Sequence, residues 1–163
     1  MIEMAMYAHE LTDRKRAEPA DDLWTVLTTA TVTLDDGTVT ELTDLERDLF
    51  FTLLLVAGNE TTRNAVSLGI MGFLDHPEQW GRVTGGAGMD EAAVDEVLRY
   101  TSPVNYFRRT ATEDTELGGE LIRAGDKVTL WYASGNRDEA VYEDPHRLDL
   151  SRSPNHHLAF GGG

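Results

Sequence analysis

The sequence predicts a mainly α-helical protein with a small β-sheet inserted late, an α+β fold. Three observations predict it: a long apolar helical pattern opening near Thr43, a change to strand-like alternation after Pro103, and turn signals at Gly118-Gly119 and Ala124-Gly125-Asp126. The 163 residues, 40% hydrophobic and 26% charged, suit one soluble globular domain spanning residues 1–163.

Residues 7–16 and 21–29 read as helices on either side of Pro19. Residues 34–39 (Leu-Asp-Asp-Gly-Thr-Val) form a turn signal between short apolar pieces. Thr43 and Glu46 make a T-x-x-E capping box, which satisfies two backbone donors that a helix start leaves open. The helix it begins can run to about Leu74, roughly 45 Å at about 1.5 Å per residue. Residues 49–57 are apolar nearly all round, the pattern of a helix surrounded by protein. Asp75 offers a new cap and Pro77 a first-turn proline, so a second helix starts there. Residues 85–88 (Gly-Gly-Ala-Gly) read as a flexible loop, and residues 90–100 as a helix ended by Ser102-Pro103. Residues 106–112, 115–117, 120–122 and 127–132 read as strands, with Val128, Leu130 and Tyr132 on one face. From Asn136 on, the pattern is irregular.

Composition excludes several functions. Fourteen basic against twenty-nine acidic residues give a net charge of −15, which would repel nucleic acid and anionic membrane surfaces. Without cysteine, these residues hold no disulfide, zinc-thiolate site or cysteine nucleophile. The longest apolar run, residues 53–57, is far too short for a membrane span, and the first residues lack the pattern of a secretion signal; the cytoplasm is the expected location. His156 and His157 are adjacent and have no acid at ligand spacing, so no metal site is expected among these residues. A hydrolase built on Glu60 and His157 would lack a nucleophile motif.

Four stretches carry chemistry. In Ala57-Gly58-Asn59-Glu60-Thr61-Thr62 a glycine sits mid-helix, at a cost of about 1 kcal/mol relative to alanine, and an acid follows an apolar run. Two small residues admit a flat group to the backbone. The Thr61 hydroxyl can bond back to the Ala57 carbonyl and bend the helix. An acid beside an alcohol can handle a proton. The same residues also suit a kinked helix whose Glu60 pairs with Arg63 or reaches solvent. Glu96 and Arg99 are an i, i+3 pair, worth about 0.2–0.5 kcal/mol on an isolated helix and uninformative alone. Arg108-Arg109 offers a fork for a carboxylate or phosphate, or a solvated strand end. The closing glycines, residues 161–163, could cradle a phosphate only ahead of a helix.

The order of these landmarks is more specific than any one of them. An A-G-x-E-T-T helix, E-x-x-R, an R-x-A-T strand, an L-G-G hairpin, a G-D-x-V strand, an N-R-D turn, a D-P-x-R segment and H-L-A-F-G follow one another here. This series resembles the bacterial cytochrome P450 family. The stretches around Gly58–Asn64 and Ser102–Arg109 look most like its actinobacterial sterol and branched-lipid hydroxylases.

The resemblance implies a partial cytochrome P450 fold, including the long central helix and the late β region. It implies a haem b cofactor and a monooxygenase that inserts one atom of O2 into a C–H bond of a hydrophobic sterol, terpenoid or branched lipid. Electrons would come from a ferredoxin and its NAD(P)H-dependent reductase. Glu60 and Thr61 match the family's catalytic acid–alcohol pair, and Ala57 and Gly58 the groove where oxygen sits. Arg109 matches the arginine of a haem propionate, with His157 near the same edge, and Phe160 opens the loop that carries the ligand cysteine. Glu96, Arg99 and Arg147 match a structural trio, and Val104 a substrate contact. That ligand cysteine is expected beyond Gly163, the stretch is a little under half of a typical member, and alone it is expected to be inactive. Leu148 departs from a usual aromatic. The alternative is a non-catalytic helical scaffold that keeps these landmarks.

Overall fold

Helices occupy most of the first hundred residues, and local chemistry explains where each begins. A computed structural model describes residues 2–161. The chain divides into two compact units, residues up to 60 and residues from 61 on.

In the first unit, α1 (Ile2–Ala17) is followed by α2 (Leu23–Thr29). Asp22 caps α2, its Oδ1 accepting the Thr25 N–H at 2.8 Å, while its other oxygen pairs with Lys15 of α1. The Trp24 indole N–H donates to Thr12 Oγ1 at 3.1 Å, and Thr12 donates in turn to the Ala8 carbonyl. Both helices therefore share one buried polar chain. The strands β1 (Thr31–Thr33) and β2 (Val39–Glu41) pair antiparallel, with Thr31 opposite Glu41, across the turn expected at residues 34–39.

The long helix α3 (Asp44–Asp75) opens on the capping box read from sequence: Thr43 N–H donates to Glu46 Oε2 at 2.7 Å and Glu46 N–H to Thr43 Oγ1 at 3.2 Å. Phe51 packs edge-on to Trp24, ring centres 5.2 Å apart, and lies 5.7 Å from Tyr7. The expectation of a helix surrounded by protein is not met among the described residues. One stripe of α3 packs on the rings of α1 and α2, while Leu49, Leu53 and Val56 stay more than half exposed.

The second unit contains the rest of α3, then α4 (Pro77–Arg82) and α5 (Glu91–Thr101). His76, the residue before Pro77, is the cap of α4 within the stretch expected to start it, and Asp75 ends α3. The helical path continues past α4 and breaks in the glycine-rich stretch where a loop is expected, at Gly86 with φ +107°. Asp90 caps α5 by accepting the Ala93 N–H at 2.9 Å, and Ser102 closes it in a left-handed conformation. Gly69 and Gly72 let α5 approach α3: an added Cβ would meet Val97 and the Tyr100 ring, each at 3.1 Å. Ala93, Leu148 and Leu150 form the core here, with Phe73, Val83, Val97 and Tyr100 against it.

The late β region comprises β3 (Tyr106–Thr110), β4 (Thr115–Leu117), β5 (Glu120–Ile122) and β6 (Lys127–Trp131), followed by the short helix α6 (Tyr132–Gly135). Strands β3 and β6 pair antiparallel, Tyr106 opposite Trp131 and Thr110 opposite Lys127, and β4 pairs with β5 across Gly118-Gly119. These are separate two-stranded ladders rather than one sheet. Among the described residues no helix is long and apolar enough to cross a membrane, and no group of side chains could hold a metal ion.

Candidate functional site

Two arrangements in the second unit bring sequence-predicted residues together. The first is a buried ion-pair network. Glu96 and Arg99, both fully buried on α5, make a bidentate pair with Nε to Oε2 at 2.7 Å and Nη2 to Oε1 at 2.9 Å. Arg99 also donates to the carbonyls of Asn136 (2.7 Å), Pro145 (2.8 Å) and Arg147 (3.1 Å). Glu96 further accepts from Arg152 Nε at 3.1 Å, Asn155 Nδ2 at 3.0 Å and the Asp149 N–H at 2.9 Å. A buried charge persists only when it is paired and its remaining hydrogen-bonding positions are filled, and that condition holds here.

This corrects one expected residue. Arg147 contributes its backbone carbonyl, and its side chain is exposed; the second guanidinium on Glu96 belongs to Arg152. The segment leading to them turns through Asp144 at φ +45°, so no regular period announces which arginine faces inward. Tyr142 lies under both cations, its ring centre 5.1 Å from Arg99 and 5.8 Å from Arg152. Burial pushes its phenol above the ordinary value.

The second arrangement is a surface built on β3, β6 and the closing turn. Phe107 and Arg109 alternate onto one face of β3, opposite Leu130 and Val128. The Arg109 guanidinium sits over the Phe107 ring at 5.8 Å and makes no ion pair among the described residues. Phe107 in turn lies 5.9 Å from Tyr132, and the Tyr132 hydroxyl reaches the backbone at Gly161, where an added Cβ would come within 2.8 Å. The neighbouring Phe160 is 83% exposed. A cation without a carboxylate partner, two aromatic rings and an outward phenylalanine thus follow one another. Such a donor set fits a flat apolar group that bears carboxylates. Phe107 and Tyr132 are the members that sequence reading missed; their alternation with Arg109 and Leu130 was the available signal.

His157 meets that surface through Phe160, the two ring centres lying 5.9 Å apart. Its Nδ1 accepts the Ala159 N–H at 3.2 Å, and its Nε2 lies 3.4 Å from Asp95 Oδ1. Val104 is half-buried in the loop between α5 and β3.

On α3, the helical assignment runs continuously through residues 57–62. Ala57, Gly58 and Glu60 are exposed and Thr61 is half-buried. A Cβ placed on Gly58 would meet nothing within 4 Å among the described residues, leaving open space beside the helix.

Comparison with known proteins agrees with this geometry. The Cytochrome P450 family model matches residues 89–163. The chain is 45% identical over 161 residues to a steroid C26-monooxygenase of Rhodococcus jostii, covering 99% of this chain and 33% of that protein. It is 47% identical over 162 residues to a methyl-branched lipid omega-hydroxylase of Mycobacterium tuberculosis, covering 99% of this chain and 37% of that protein. The crystal structure of CYP109E1 from Bacillus megaterium in complex with corticosterone superimposes with a TM-score of 0.88 at 37% identity, over 99% of this chain and 42% of that one. The chain thus spans about a third of the length of the curated relatives it matches, less than the sequence suggests. Its ordered landmarks, the Glu96–Arg99 network and the backbone superposition converge: the chain is similar along its length to cytochrome P450 proteins, and its residues 89–163 match that family's model.

Proposed function

We propose that the protein carrying this chain is a haem-dependent monooxygenase acting on a hydrophobic substrate of the sterol, terpenoid or branched-lipid class, and that the chain is part of one catalytic domain. The observation that carries this reading is the exposed set of Arg109, Phe107 and Phe160 resting on the buried Tyr132 ring, whose chemistry suits haem b. Bound haem, ligated by a cysteine outside these residues, would supply the activation of O2 by which one oxygen atom enters a C–H bond and the other leaves as water, with two electrons and two protons consumed.

The residues of the chain have distinct parts in that reaction. Arg109 would hold a haem propionate, since a guanidinium remains charged and its fork matches a carboxylate. Phe160 would pack against the cofactor beside its thiolate. Ala57 and Gly58 leave space for oxygen. Glu60 and Thr61, consecutive on α3, would hold and pass protons: the carboxylate exchanges them with solvent and the hydroxyl both accepts and donates. Val104 would touch substrate. Glu96, Arg99 and Arg152 keep the scaffold in place and take no part in the chemistry. The electrons would arrive from a ferredoxin and its NAD(P)H-dependent reductase, in the cytoplasm. The steroid and branched-lipid hydroxylases among the relatives support the substrate class.

The test supplies the haem-loaded protein with ferredoxin, reductase and NAD(P)H under oxygen-18 gas, using a steroid, a methyl-branched fatty acid and an acyclic terpenoid as probes. One labelled oxygen in an alcohol product is expected. Thr61→Ala should retain substrate binding yet divert most of the reducing equivalents to hydrogen peroxide. Unlabelled alcohol, or no product from any probe, overturns the proposal.

A further inference from the structure

We infer that Asn136 is a positioning residue of the proposed haem site: it fixes the turn of residues 157–161, and so the placement of Phe160, relative to the buried Glu96–Arg99 pair. The inference rests on the reading that Phe160 packs against haem.

Asn136, the first residue of the N-R-D turn, caps the C-terminus of α6 and is fully buried. Its polar groups reach three parts of the fold. Its backbone carbonyl accepts from Arg99 Nη1 at 2.7 Å, its Nδ2 donates to Ser102 Oγ at 2.9 Å, and its Oδ1 accepts the Leu158 N–H at 2.7 Å. The amide has one orientation that satisfies these partners. A backbone N–H can only donate, so Oδ1 must face Leu158. The Ser102 hydroxyl spends its proton on the Arg99 carbonyl at 2.9 Å, so it offers Nδ2 a lone pair.

The turn itself leaves little freedom once that bond is made. Gly161 N–H closes it on the Leu158 carbonyl at 2.9 Å, with Gly161 at φ +81°. Leu158 packs on α6 so closely that a Cβ on Gly135 would lie 2.8 Å from its Cδ1, and Ala159 is buried. His157 and Asp95 hold the start of the turn. Of these anchors, the Leu158 N–H bond ties the turn's backbone to a residue whose own carbonyl accepts from Arg99. A shift there would move Phe160 and change the apolar surroundings and hydrogen bonding of the cofactor, the terms that set its potential and ligand field.

The experiment compares wild type with Asn136→Leu, Asn136→Asp and Ser102→Ala as haem-loaded proteins, reading the reduced carbon-monoxide spectrum, the reduction potential and thermal stability. Asn136→Leu loses both amide bonds and should lose most of the thiolate-type band and shift the potential. Asn136→Asp keeps an acceptor for Leu158 and should restore the band; Ser102→Ala, which leaves Oδ1 untouched, should keep it. Asn136→Ser, too short to reach Leu158, carries the same expectation as Asn136→Leu and guards against a variant that fails to fold. A lower melting temperature with unchanged band and potential in both Asn136→Leu and Asn136→Ser would reduce Asn136 to a structural residue and overturn the inference. Equal damage in Asn136→Asp would also overturn it, because the acceptor would not be what matters. A wild-type protein that takes up no haem overturns the underlying reading, and is recognised by failing before any variant is compared.

Discussion

Glu96 takes its second arginine from Arg152, whose Nε lies 3.1 Å from Oε2, fifty-six positions further along the chain. This bond ties α5 to the irregular segment that precedes the closing turn. Removing one partner of a buried pair leaves an uncompensated charge, which costs about 3–5 kcal/mol. Glu96→Ala and Arg152→Ala are therefore expected to destabilise by amounts in that range, and Arg147→Ala by no more than about 0.5 kcal/mol. Denaturant unfolding of the three variants measures this; a larger loss at Arg147 than at Arg152 would restore the residue read from sequence.

Tyr142 gives a sharper test of the same region. Among the described residues its hydroxyl is buried without a hydrogen-bond partner, while its ring contacts both Arg99 and Arg152. An unsatisfied buried hydroxyl costs about 1–3 kcal/mol, so Tyr142→Phe should be neutral or stabilising. Loss of the ring in Tyr142→Ala should cost about 3–5 kcal/mol. A marked destabilisation by Tyr142→Phe would reveal a partner for the hydroxyl.

Gly58 separates stability from function. Nothing among the described residues lies where its Cβ would go, and alanine is favoured over glycine inside a helix by about 1 kcal/mol. Gly58→Ala should raise the melting temperature of the haem-free protein and lower turnover of the loaded enzyme, because the added methyl fills space assigned to oxygen. Turnover equal to wild type would withdraw that assignment.

The first unit has its own pH signature. The Lys15 ammonium bonded to Asp22, together with the Thr25 N–H, holds the Asp22 carboxyl down from 3.8 to about 2. Its folded-state value is depressed, so its contribution to stability is fully present above pH 3.8 and is lost as pH falls through about 2. Carbon-13 NMR titration of the Asp22 carboxyl should give a midpoint near 2, and Lys15→Met should move it up toward the ordinary value. An unmoved midpoint would mean that Lys15 does not hold it.

Much of this was legible in the residues, for physical reasons that differ from place to place. The Thr43–Glu46 box and the Gly118-Gly119 turn are local devices, satisfied by neighbours within a few positions, and the structure follows them. The point at which the helical path breaks, Gly86, was hidden because consecutive glycines signal freedom without saying which conformation each takes. The partner of Glu96 and the orientation of His157 depend on how an irregular segment returns to α5, and no periodicity encodes that path. The three bonds of Asn136 were hidden for the same reason, since they reach residues 22 to 37 positions away.

The central claim is that the surface holding Arg109 and Phe160 receives haem, and binding of haem measures it most directly. Titration of haem into the protein that carries this chain, followed by reduction under carbon monoxide, should yield a thiolate-type difference band. Arg109→Met should keep the band position but bind haem roughly 10- to 100-fold more weakly, the effect of losing one charge-assisted hydrogen bond. A wild-type protein with no such band, or an Arg109→Met variant that binds haem as tightly as wild type, would contradict the account.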